Sequence, residues 1–189
     1  MAGLVQGIGS ASVMTVSISI TDTDVFSALR TFLLASLPSG TEVIQAQNNG
    51  VPMPLGGFVA MNNAGTKRLA TNVDTYVDPG TNPGTKDVLM KAEYHIDLDF
   101  YGPNSAAWAN TIQALFRDEY ATSSFPSNIQ PLYADDPVQV PFIDGEQQYE
   151  QRWRMTTVLQ YDPVVSVSQD FAGTLTVGIV EIDTKYPPH

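Results

Sequence analysis

His95, Asp97 and Asp99, in the stretch "HIDLD" at residues 95–99, are the side chains in this sequence best placed to do chemistry. In a strand, positions two apart project from one face, so the three would stand in a row. An imidazole beside two carboxylates can hold a divalent cation or share general acid and base work. The same alternation also describes a solvated strand face, with Tyr94, Ile96 and Leu98 turned the other way. Catalytic sites usually gather their groups from the ends of several elements rather than from one strand. The row therefore reads as surface.

Other candidates are weaker. "GIGSAS" at residues 7–12 imitates a glycine-rich phosphate loop, but it has no preceding strand, no following helix and no lysine. Asp135 and Asp136, in "ADDP", offer oxygen ligands for Ca²⁺ without the regularly spaced partners such a loop needs, and read as a turn. No serine sits in a GxSxG setting, the other histidine is His189, and cysteine is absent. Thiolate nucleophiles, disulfides and cysteine zinc sites are excluded. The sequence predicts no catalytic residue, no cofactor and no metal, and so no enzyme.

The elements that carry these residues follow from periodicity. Val25, Phe26, Leu29, Phe32, Leu33 and Leu37 form a helical stripe, with Asp22 or Asp24 as N-cap and Pro38 and Gly40 as the stop. Short strands are expected at 13–20 and 41–46, and a hairpin from "GGFVAMNN" through the turn "AG" to "TKRLATNVDTYVD". Residues 78–87, dense in Pro and Gly, predict an exposed tip that includes Asp78, Pro79 and Lys86. From Val88 to Phe100 apolar and polar residues alternate without a break, roughly 40 Å of strand, long enough to project beyond a compact body. A second helix is expected over 102–121, with Trp108, Ile112, Leu115 and Phe116 on its apolar stripe. Residues 122–143 read as a loop with one short strand near Leu132–Tyr133. A strand follows at 146–160, then a turn at Asp162–Pro163, and a last strand at 171–183. The order predicts an α+β fold: an antiparallel or mixed sheet with long strands and two main helices packed on one face. It is a single domain over 1–189, with an extended N-terminal arm at 1–20.

Composition narrows the function. The chain has 189 residues, 43% hydrophobic and 15% charged, so neutral polar groups must make much of the surface. Such surfaces, mixed with aromatics, are common where proteins meet proteins. A net charge of −11 argues against wrapping nucleic acid. The N-terminus lacks the basic residues and apolar run of a signal peptide, and no later run is long enough to span a bilayer. The Gly/Ser-rich leader needs something to hold it, for which a neighbouring subunit is suited, and Met14 offers a second candidate start.

The 146–160 strand fits that reading. Its first half places Glu150, Arg152 and Arg154 on one face and Tyr149 and Trp153 on the other. Tyr, Trp and Arg are the types most enriched at interface hot spots. The competing reading puts Trp153 in the core and pairs the arginines with local acids.

The stretches "LDFYGPNSAAWANTIQALFRDEYA", "PLYADDPVQVPFIDGEQQYEQRWRMTTVLQYDPVVSV" and "QDFAGTLTVGIVEIDTKYPP" resemble the neck- and tail-terminator proteins of tailed bacteriophages. The likeness spans roughly residues 20–188 and rests on the order of these pieces, not on catalytic geometry. It implies a virion structural protein, assembled in the host cytoplasm, that forms a homo-oligomeric ring, most often a hexamer. The ring would cap the tail tube protein, join it to the head–tail connector or head-completion protein, and touch the sheath where the tail contracts. DNA would pass through its lumen without specific binding, and no membrane is involved. Tyr149, Glu150, Arg152, Trp153, Arg154, Asp78, Pro79 and Lys86 are the expected subunit or partner contacts. Two other classes stay open at this point: a phage accessory module that binds a receptor or glycan, and a metal-dependent enzyme built on His95, Asp97 and Asp99.

Overall fold

A computed structural model describes residues 16–47, 54–143 and 149–172. The leader with its "GIGSAS" motif, residues 144–148, and the expected last strand from residue 173 onward lie outside the described residues.

The described residues begin with strand β1 (Val16–Ile18) and helix α1 (Asp22–Ser36). Thr21, not an aspartate, is the N-cap. Its backbone N–H and its hydroxyl both donate to the Asp24 carboxylate, each at 2.8 Å, so the acid closes the first turn from inside the helix. Strands β2 (Glu42–Gln45), β3 (Phe58–Arg68), β4 (Val73–Val77), β5 (Gly84–Leu89) and β6 (Ala92–Tyr101) follow. After α2 (Ser105–Phe116) and α3 (Glu119–Ser124) come β7 (Ile129–Ala134), β8 (Val138–Gln139) and β9 (Phe142–Ile143). The last described strands are β10 (Tyr149–Glu150), β11 (Arg152–Tyr161) and β12 (Val164–Gln169).

A six-stranded mixed sheet runs β2-β3-β6-β11-β7, with β8 also on β11. Among the described strands its only parallel pair is β2 with β3. A four-stranded outer sheet runs β1-β12-β5-β4, and β9 and β10 form a separate ribbon. The helices cover one face of the larger sheet. Leu29, Phe32 and Leu33 of α1 and Ile112 and Phe116 of α2 are buried against Ile96, Leu98, Phe100, Met155 and Leu159. Phe32 joins the three helices, meeting Phe116, Tyr120 and Phe125 at ring distances of 5.8, 6.2 and 5.4 Å.

Several expected boundaries move. The hairpin predicted around "AG" is one continuous strand, β3, with an irregularity at Asn63–Gly65. Gly65 adopts φ +118° and donates its N–H to the Asn63 side chain, so the glycine makes a bulge instead of a turn. The long strand predicted over 88–100 divides at Met90–Lys91 into β5 and β6, opposite Asp162–Pro163. Pro163 has no N–H to give to a ladder, which loosens the pairing there. Met90 N–H still donates to the Pro163 carbonyl at 3.0 Å, and the register carries through unchanged. The result is a two-stranded ladder from Tyr101↔Arg152 to Gly84↔Gln169, roughly 60 Å of extended chain. The expected turn at Asp162–Pro163 is thus only a gap in one extended ladder, and it leads straight on into β12, which the pattern did not predict. The second helix stops at Phe116 because Asp118 caps a new one, accepting from the Tyr120 N–H at 2.9 Å. The supposed loop at 122–143 contains β7 as a central-sheet partner of β11, longer than the strand expected near Leu132.

Gly102 turns the chain from β6 into α2 at φ +97°, and a Cβ there would stand 2.8 Å from the Gly57 Cα. A Cβ on Gly57 would in turn meet the Trp108 indole. Backbone strain and backbone collision combine, so Gly102→Ala should lower unfolding free energy by about 2–4 kcal/mol, measured by urea denaturation.

Candidate assembly interface

The face of the six-stranded sheet turned away from the helices carries the "HIDLD" row. Asp99 is 1% exposed there. Its Oδ1 accepts from Arg154 Nε at 2.8 Å and from Arg152 Nε and Nη2 at 3.0 and 2.9 Å. Its Oδ2 accepts from Arg154 Nη2 at 3.0 Å and from Asn62 Nδ2 at 3.1 Å. The register explains the cluster, since Asp99 pairs with Arg154 and Tyr101 with Arg152 across β6 and β11. Burial alone would raise the Asp99 pKa, but the Arg154 and Arg152 hydrogen bonds outweigh it and hold the carboxyl below its ordinary 3.8. Arg152 also lies over the Tyr101 ring at 5.5 Å, and Tyr101 stacks on Phe58 at 4.5 Å.

The row is thus not a simple solvated face. Asp97 accepts from Thr156 Oγ1 at 2.7 Å, and His95 Nε2 lies 3.3 Å from Glu93, which also meets Lys67. Each acid in the row already has a partner, and among the described residues no group of three or more His, Asp or Glu is placed to hold a metal. Asp136 accepts from Gln113 at 2.6 Å, while Asp135 N–H bonds the Thr156 carbonyl, which ties "ADDP" to α2 and β11. A groove of about 440 Å³ beside α1 is lined by Ser19, Asp24, Ser27, Thr31, Ser124 and Asn128, and its carboxylate is already used in the helix cap. Nothing in it forms a nucleophile–base pair.

The expected contacts separate into two groups. Glu150 is exposed, Arg152 and Arg154 are half-buried on Asp99, and Trp153 is partly buried against the core. The arginines are thus engaged within their own chain, and Trp153 serves the core. At the far end of the ladder Asp78 and Pro79 are exposed, with Asp78 accepting from the Gly80 N–H. Lys86 pairs with Asp74 at 2.8 Å and sits over the Tyr76 ring at 5.5 Å, so it belongs to β5 and not to a free loop.

Sequence reasoning missed the outer sheet itself. Pairing in register puts Val16, Ile18, Val165, Val167, Val88 and Tyr76 on one largely apolar face, together with the Lys86–Asp74 ion pair near β4. The other face is mixed: it carries Ser17, Ser166, Thr85 and Thr75, with Ser166 bonded to Asp87, and also Val164, Leu89, Val73 and Val77. The apolar face continues the helix-covered face of the larger sheet, but the described helices stop short of it. Val16, Ile18 and Tyr76 are 65%, 54% and 56% exposed. The signal was present as period-two apolar residues in "VSI" and "VVSVSQ". A sheet face that is largely apolar and that no described helix covers is suited to association.

Residues 23–186 match the profile of the phage neck terminator proteins. The chain belongs to that family. It is a family of structural phage tail-terminating proteins, not an enzyme family. Among solved structures, the chain is similar to the sheath/tube terminator of an extracellular contractile injection system, PVC, in the extended state. That likeness has a TM-score of 0.50 and 10% identity over 89% of this chain. It shows a shared fold, and the chain spans only 65% of that terminator's length. None of the curated proteins matches. Among the described residues no helix is long and apolar enough to cross a membrane.

Proposed function

We propose that this neck terminator closes with copies of itself into a ring of six that ends the tail tube and joins it to the head–tail connector. The observation that carries the reading is the family match over residues 23–186. A ring built from head-to-tail contacts needs two different patches on each subunit. The long ladder supplies candidates at opposite ends: Tyr149–Arg154 at the body end, and the outer sheet with Asp78, Pro79 and Lys86 at the tip. The apolar face of the outer sheet is the part that meets the next copy. Six chains of −11 would surround the channel with about −66, which discourages adhesion of passing DNA. Assembly takes place in the host cytoplasm, and the sheath is a further contact where the tail contracts.

Native mass measurement with purified tail tubes tests this. The expected result is a six-fold species that binds tube ends and blocks further addition of tube subunits. A monomer or trimer that ignores tubes but binds a glycan would instead make the chain an accessory binding module.

A further inference from the structure

Strand β7 breaks its alternation on the sheet face turned away from the helices. Tyr133 stands across from Val158 and Pro131 across from Leu159, so Leu132 has no partner residue in β11. One extra residue in one strand is a β-bulge, and it turns two sequence neighbours toward the same side. Burial follows that geometry. Ile129, Pro131 and Ala134 are buried, whereas Leu132 and Tyr133 are 38% and 39% exposed. Strict alternation would have hidden one of them. Val138 of β8, across from Arg154 and 60% exposed, extends the patch toward the Tyr149–Arg154 end.

Among the described strands β7 ends the six-stranded sheet. A bulge spoils such an edge for the addition of a strand, and Pro131 has no N–H to offer one. A partner must therefore meet this edge through side chains.

Charge indicates which partner. Copies of a chain with net charge −11 repel one another except where charges are absent or opposed. Leu132, Tyr133 and Val138 are uncharged, and so are Val16, Ile18, Val165 and Val167 on the apolar face of the outer sheet. Asp135 and Asp136 follow the bulge, are exposed, and form no ion pair among the described residues. The cation beside the apolar face of the outer sheet is Lys86, which has Asp74 as its partner. The two patches lie on opposite sheet faces, so one subunit offers them to different neighbours, as a head-to-tail ring requires.

We propose that Leu132, Tyr133 and Val138 form a second contact patch, and that it docks on the apolar face of the outer sheet of the next copy. The apolar side chains meet one another, and Asp135 and Asp136 approach Lys86. This inference rests on the ring reading and names the surface that the body end of the subunit contributes.

Tyr133→Asp and Val138→Asp test it beside the native chain and Ile18→Asp. Each is followed by native mass measurement at matched concentration, after brief amine cross-linking to retain weak pairs. Both patch variants should keep a nearly native thermal midpoint and lose assembled fraction at least about tenfold. An equimolar mixture of Tyr133→Asp and Ile18→Asp should give pairs of one each and nothing larger, because such a pair has one sound junction and two spoiled ends. If Tyr133→Asp does not fold, Val138→Asp takes its place in the mixture. Native assembly by the patch variants would overturn the proposal. So would a mixture without pairs, which would send the bulge to another surface, or intact rings that no longer end tail tubes, which would assign it to the tube protein. A native chain that stays single even with tail tubes would instead defeat the ring reading itself.

Discussion

An Arg152→Ala/Arg154→Ala double variant should lose about 3–5 kcal/mol of folding stability at neutral pH, because it strands the Asp99 carboxylate. Asp99 is 1% exposed and would keep only the Asn62 hydrogen bond. Arg154→Ala alone should cost less, about 1–2 kcal/mol, since Arg152 still donates twice. The two losses should therefore combine non-additively. The pH dependence follows from the lowered Asp99 pKa. The folded state binds this proton less readily than the unfolded chain, so the contribution is complete above the unfolded pKa, near 3.8, and is lost as pH falls below it. Urea denaturation of the native chain should weaken steeply below about pH 4, and Asp99→Asn should flatten that slope. An unchanged slope would mean that the cluster contributes little to folding. The result also governs how assembly is probed: a ring lost in the double variant would report a damaged fold, not a broken interface.

What the sequence made legible depended on how local the cause was. Helix α1 was readable because Val25, Phe26, Leu29, Phe32 and Leu33 all face one core, and its ends carry their own signals. The break in the 88–100 strand was not, because its cause, Pro163, is remote in sequence and meets Met90 only once β5 and β12 have paired. Asp99 was misplaced for the same reason. Alternation put it on the face opposite the helices, correctly, but its burial comes from two guanidinium groups on a strand more than fifty residues later. The internal pairing of Arg152 and Arg154 was hidden in the same way, because Asp99 comes beside them only once β6 and β11 have paired. The candidate contacts at Asp78 and Pro79 kept their exposure because turn chemistry is local. The apolar face of the outer sheet was hidden in short strands. Three residues of β1 and six of β12 mean little until pairing aligns them with Val88 and Tyr76.

Ile18→Asp and Leu98→Asp place the same carboxylate on one continuous sheet face, and the expected results differ because only one site is covered. Leu98 is fully buried beneath the helices. An aspartate there has no partner and should cost about 4 kcal/mol or more, enough to prevent folding in a marginal domain. Ile18 is 54% exposed on β1, and its side chain reaches water in the single subunit. Ile18→Asp should shift subunit stability by no more than about 0.5 kcal/mol, read as a nearly unchanged thermal midpoint. If the apolar face of the outer sheet is where copies meet, the same substitution buries a charge at every contact around a ring. The assembled fraction at matched concentration should then fall at least about tenfold, which corresponds to about 1.4 kcal/mol per contact. Native mass measurement at several concentrations gives that fraction directly. A variant that folds and assembles as the native chain does would show that copies do not meet on this face. The second patch of a head-to-tail ring would then have to lie elsewhere on the subunit, with exposed Asp78 and Pro79 at the tip as the remaining candidates.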